Sequence, residues 1–229
     1  MRGEYHSAQI IGSAPGNGQF RHFAPLLGDT PLVASPATLR VLPIAPLLAA
    51  LVALTPSSAQ GETLRVFPIE KSDACAVKFA QYHHDYPATD ILTKKGCAFL
   101  APIDGVVDEV SRKDRWSGKT NRGQDRGGLF VSIIGVDGVR YYGSHLLEVA
   151  DGIEPGVTVL AGQILGKVGT SGSARGTSPH LHFGLSWPTE KGDWKIRRGA
   201  LLPYKYLQSW QKGGNLSPVA AIKKIAPVN

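Results

Sequence analysis

The sequence predicts a mainly β domain closed by a short C-terminal helix, and three observations carry that prediction. Short apolar runs alternate between turn signals, and no helix–strand alternation appears anywhere. Turn-forming residues are abundant, with 27 glycines and 16 prolines. A hydrophobic share of 42% supplies one good core, and with 19% charged residues the composition is ordinary for a globular β-rich protein and too apolar for a disordered one.

Taken in order, residues 1–39 lack periodicity and read as an unstructured leader. Residues 40–60 have the anatomy of a secretory signal peptide: Arg40, the uncharged apolar run from Val41 to Leu54, then Ser57 and Ala59 as a small-residue cleavage patch. The run is shorter than the roughly 20 residues that a membrane helix needs, so no stable membrane span is expected. Pro43 and Pro46 also speak against a buried helix. The leader is longer than such a signal requires, and an over-extended reading frame is expected. Export would place the chain in the periplasm or outside the cell. In that compartment the only two cysteines, Cys75 and Cys97, are expected to be bridged.

Residues 61–215 read as one folded domain. Cys97–Pro102 and Gly105–Val110 alternate and are broken at Asp104-Gly105, a hairpin signal. From Ser111 to Gly128 the chain turns polar, with Arg112, Lys113, Arg115, Lys119, Arg122 and Arg126 around Trp116. That stretch is either a solvated loop or a basic rim to a cleft. Leu129–Gly135 and Val139–Leu146 read as strands about the turn Val136-Asp137-Gly138, and two shorter strands lie in Gly156–Gly166. The glycine-rich Gly169–Gly176 matches no phosphate-loop pattern. It leads into Pro179-His180-Leu181-His182-Phe183-Gly184, read as a strand with both histidines on one face. Pro203–Gln211 has helical spacing, and residues 216–229 read as a trailing tail.

The net charge of +7 favours a polyanionic partner. No nucleic-acid motif accompanies the charge, so nucleic acid is not expected. Of seven histidines, His6 and His22 lie in the leader, and His83, His84, His145, His180 and His182 fall in three short clusters. Alone, His145 at a strand end would read as structural. Together with a carboxylate the clusters are the raw material of a zinc site, and three protein ligands with an open fourth position make a catalytic one. His84, Asp90 and His182 would supply two imidazoles and a carboxylate, leaving His145 and His180 for chemistry.

Three motifs combine here: a His…Asp pair, Ser144-His145-Leu146 at a strand end, and Gly-x-x-Gly followed after six residues by Pro-His-Leu-His-Phe. Over about Ala74 to Trp187 the chain thereby resembles the lysostaphin-like zinc metallopeptidases, which cut peptide cross-bridges in bacterial peptidoglycan. The resemblance implies an antiparallel sheet curled into a groove, a duplicated-hybrid-motif barrel or sandwich with the metal at its floor. It implies one Zn2+ held by Asp90 and His182, His180 and His145 as catalytic residues, and a monomer acting on peptidoglycan, an anionic polymer.

Two departures from that pattern stand out. The family's first ligand histidine lies four residues before the aspartate, where this chain has Tyr86. His84, directly before the Asp-Tyr-Pro-Ala turn, is assigned in its place, with His83 as the alternative. The family's tyrosine two residues before the strand-end histidine is displaced as well, to Tyr142, which leaves that residue's contribution open. The competing reading is a domain of the same fold that binds wall or activates another hydrolase without cutting. A carrier or phosphotransfer module, suggested by Ala101–Val107, conflicts with the export signal.

Overall fold

The computed structural model describes residues 63–227 except Tyr82, His84 and Asp85; the expected leader and signal peptide lie outside the described residues. The strands are β1 (Lys78–Phe79), β2 (Thr89–Leu92), β3 (Ala98–Leu100), β4 (Gly105–Ser111), β5 (Phe130–Gly135), β6 (Arg140–Ser144), β7 (Leu146–Val149), β8 (Thr158–Val159), β9 (Ile164–Val168) and β10 (His180–Ser186). Helices α1 (Trp194–Arg197), α2 (Tyr204–Gln211) and α3 (Val219–Ile225) follow. The strands form two antiparallel sheets, one of seven strands in the order β1-β2-β10-β6-β5-β4-β8 and one of three in the order β3-β9-β7.

Alternation along β10 explains the packing. Leu181, Phe183 and Leu185 point into the core with Phe99 of β3 and Leu165 of β9. The small sheet closes on the large one at Gly143 of β6, where a side chain would run into the Phe99 ring. Gly143 is thus required by close approach, since its φ is ordinary. The other face of β10 is covered by the segment after α1, whose Arg198 carbonyl occupies the space a side chain at Gly184 would need.

The expected β5–β6 hairpin is present: Gly135 and Val139 bracket a turn in which Gly138 takes φ +76° and Asp137 Oδ1 accepts from the Val139 N–H at 3.1 Å. The expected hairpin at Asp104-Gly105 is not. β3 pairs with β9, whereas β4 pairs with β5 and β8, so the chain crosses there from one sheet to the other. Ala101 and Ile103 are fully buried in that crossing, and the apolar run continues into the core instead of turning back. β8 and β9 are likewise divided between the sheets. The expected tail is corrected too: residues 219–225 form α3, and Ile222 is buried in the core. The Trp210 indole donates to the Leu216 carbonyl at 2.9 Å, and Asn215 Oδ1 accepts from the Arg65 backbone N–H at 3.0 Å, which holds the approach to α3 against the domain.

Cys75 and Cys97 are joined by a disulfide with their Cα atoms 5.8 Å apart, tying the turn at Asp73–Cys75 to the start of β3. Behind β10 lies a polar network. A bulge in β4 between Val107 and Glu109 lets two successive carboxylates reach the same guanidiniums. Asp108 pairs with Arg140 at 2.6 Å and Arg197 at 2.5 Å, and Glu109 with Arg197 at 2.9 Å. This joins β4 and β6 to α1 and fixes where the residues after α1 begin.

Candidate metal centre

Antiparallel register puts His182 of β10 directly opposite Asp90 of β2, and the imidazole Nδ1 lies 2.8 Å from Asp90 Oδ1. His83, in the loop before β2, brings its Nε2 to 3.6 Å from Asp90 Oδ2. Ligand atoms of His83, Asp90 and His182 all fall within 4.8 Å of one another. Although burial would raise it, the hydrogen bond from His182 and the nearby imidazoles of His182, His180 and His83 hold the Asp90 carboxyl well below the usual carboxylate range. Burial pushes the His182 imidazole down, against the opposing pull of Asp90.

The surroundings of His182 Nε2 bear on metal binding. The Tyr86 hydroxyl is 3.1 Å away and the Arg198 carbonyl 3.2 Å. With a proton on Nδ1 for Asp90, Nε2 accepts from Tyr86. With the proton on Nε2, it donates to the carbonyl and leaves the Nδ1 lone pair for a metal. A ligand histidine whose second nitrogen is held by a carbonyl is the usual support of a metal site. Two imidazoles, one carboxylate and that backing suit zinc with an open fourth position. The residues fit the ion.

His180 and His182 share one face of β10 as predicted, and His180 Nε2 lies 4.0 Å from Asp90 Oδ2. His145 stands where β6 passes into β7, at φ +65°, one of two described non-glycine residues in the left-handed region. Its N–H donates to Gly127 and its carbonyl accepts from Gly169, which pins the kink. The His145 ring is 5.0 Å from that of His180 and 5.8 Å from that of His182. Both outer histidines are oriented alike, since His145 Nδ1 meets the Ser171 carbonyl and His180 Nδ1 the Ser178 carbonyl, each at 2.8 Å. Nδ1–H donates in both, so Nε2 carries the lone pair. Burial, then the charges of His182 and His180, push His145 down to about 3.

The cleft has a volume of about 660 Å³, and Trp116, Asn121 and Arg126 line it together with the histidines. The polar stretch from Ser111 to Gly128 is therefore a cleft wall as well as a surface loop. Asn121, at φ +43°, braces it by accepting from the Trp116 indole at 3.2 Å and from Arg126 Nε at 3.1 Å.

The structure thus brings Asp90, His145, His180 and His182 together. His84 lies outside the described residues, and His83, the alternative, sits in the cluster. Tyr86, standing where the family has its ligand histidine, turns its hydroxyl to His182. Tyr142 is buried with its ring 6.2 Å from His182 and lines a neighbouring cavity rather than the metal cleft. Sequence reasoning missed Arg198 altogether, because its link to the site runs through the fold and through no motif.

Residues 84–194 match the model of Peptidase family M23. They are an M23 peptidase domain. Asp90, His145, His180 and His182 lie inside the matched stretch, while His83 and Arg198 fall just outside it. The M23 domain's sequence is similar to the L-Ala--D-Glu endopeptidase of Bacillus subtilis (strain 168), 30% identical over 132 residues, which are 56% of this chain and 36% of that protein. The chain therefore spans little more than a third of the length of that curated relative. In fold it is similar to a Ruminococcus gnavus protein described as a glycyl-glycine endopeptidase, lytM, with a TM-score of 0.50 and 24% identity over 67% of this chain and 62% of that one. The catalytic domain of lysostaphin from Staphylococcus simulans superposes with a TM-score of 0.43 at 24% identity, over 59% and 92% of the two chains. The M23 fold, mainly β with open antiparallel sheets, agrees with the expected class.

Proposed function

We propose that the chain is an exported, zinc-dependent endopeptidase that hydrolyses peptide bonds in bacterial peptidoglycan. The observation that carries this reading is the donor set of His83, Asp90 and His182, flanked by two histidines that present Nε2 lone pairs to one cleft. Export rests on the signal anatomy of residues 40–60, and the wall substrate on the family together with the basic charge.

Asp90, His182 and one histidine of the first motif, His83 in the cluster described above, would hold the ion. Bound there, zinc would polarise the scissile carbonyl and lower the pKa of an attacking water. His180, partly buried and fixed through Nδ1, takes the proton from that water at Nε2 and returns it to the leaving amine. His145 has only a lone pair to offer at Nε2 while Nδ1 is bonded to Ser171. It orients the water as an acceptor, which its geometry supports better than donation to an oxyanion. Trp116 and the basic loop form a wall along which an extended peptide lies.

Mass spectrometry of purified peptidoglycan tests this, after incubation with the full chain and zinc or with chelator. The expected result is a set of cleaved peptides that is absent with chelator. Intact peptidoglycan under both conditions, from protein carrying one zinc per chain, would overturn it.

A further inference from the structure

We propose that Arg198 is an anion-binding subsite, which takes a carboxylate of the peptide substrate beside the scissile bond. The inference rests on the peptidase reading of the cleft and narrows its substrate class. Three buried arginines line the cavity that adjoins the metal cleft: Arg140, Arg197 and Arg198 are 0%, 3% and 7% exposed. Two of them are neutralised, since Asp108 and Glu109 lie between Arg140 and Arg197. Arg198 has no carboxylate within ion-pair distance among the described residues. Its Nη1 makes one long hydrogen bond, 3.4 Å to the Gly123 carbonyl, and its Nε has no partner. A guanidinium offers five donors, and a buried one left this short of acceptors is costly unless a counterion arrives.

Its position says where that counterion would come from. Arg198 lines the metal cleft and also an adjoining cavity of about 310 Å³, whose other cationic lining includes Lys113, Arg115 and Lys191. The guanidinium lies over the Tyr86 ring at 5.3 Å, and Tyr86 in turn contacts His182. The Arg198 backbone is held too, its carbonyl facing His182 and its close approach made possible by Gly184. The charge is therefore fixed on the wall between the two cavities, where it meets a substrate and is screened little by solvent. Arginine suits the task, because its planar fork matches a carboxylate with two parallel hydrogen bonds. An all-glycine bridge presents no such group along its length. Peptidoglycan stem peptides do, so the structure assigns the cleft to carboxylate-bearing stem peptides.

Binding tests the subsite apart from catalysis. Titration calorimetry would compare the full chain, kept from turnover by chelator, with stem peptides whose carboxylates are free or amidated. The expected result is binding about ten- to a hundredfold tighter for the free acid, the range for a hydrogen-bonded charged group. Arg198→Gln should erase the difference and Arg198→Lys keep part of it, with zinc uptake unchanged in both. Equal affinity of the wild type for the two peptides, binding of neither, or a preference that survives in Arg198→Gln would overturn the assignment. The wild-type comparison stands even if Arg198→Gln fails to fold. Cleavage by the zinc-loaded chain, run in parallel, separates the two readings: a carboxylate preference without cleavage would keep the subsite and sink the peptidase.

Discussion

At the scale of single residues, the site divides its histidines by what holds their second nitrogen. His182 has a hydroxyl and a carbonyl beside Nε2 and is buried, so its Nδ1 is the metal-facing atom. His180 has Nδ1 tied to Ser178 and keeps Nε2 for a proton. His182→Ala is therefore expected to lose the metal, whereas His180→Ala keeps one zinc per chain and loses about 10²- to 10⁴-fold in turnover, the range for a general base. Metal analysis of the purified variants beside their peptidase rates checks this, and equal zinc loss in both would end the division of labour. The same analysis on His83→Ala and His84→Ala identifies the third ligand. Loss of zinc from the first alone is expected.

At the scale of elements, the register of β2 on β10 and the kink between β6 and β7 assemble the centre, and α3 is the part whose role is easiest to misjudge. Val219, Ile222 and Ile225 are the only large apolar side chains in a short, basic segment, and such a segment reads as a tail until its partners are known. In the structure Ile222 is 4% exposed and packs in the core. Ile222→Ala should cost about 2–5 kcal/mol, the range for truncating a buried isoleucine. Denaturant unfolding measures it, and a cost within a few tenths would mean that α3 is ornamental. The missed crossing at Asp104-Gly105 has a similar origin: a turn signal reports a change of direction, not which sheet the chain enters next.

For the molecule as a whole, the seven-stranded sheet is clamped to α1 by the network of Asp108 and Glu109 on β4, Arg140 on β6 and Arg197. Burial would raise the Asp108 carboxyl, but the hydrogen bond and charge of Arg140 and the charge of Arg197 outweigh it and hold its pKa down. A depressed folded pKa gives stability that is fully present above the unfolded value, near 4, and that fades as pH falls through the folded one. Asp108→Asn should therefore lower the melting temperature at neutral pH and narrow its gap from the wild type on acidification below about pH 4. Thermal melts between pH 3 and 7 decide it: a gap of constant size would remove Asp108 from the acid response.

Local chemistry was enough for the sequence to determine the mainly β class, the β5–β6 turn, the cysteine pair and four of the residues that meet in the cleft. Strand alternation sets His180 and His182 on one face whatever lies around them, and the turn at Asp137-Gly138 closes on the positive φ of Gly138 and the bond from the Val139 N–H to Asp137, both local. The tertiary structure alone brought Asp90 opposite His182, turned Tyr86 into the place of a missing histidine and left Arg198 unpaired on the cleft wall. Those relations join residues far apart in the chain. No local pattern encodes them, because sheet register and the sharing of carboxylates among arginines are decided only when the separate segments pack.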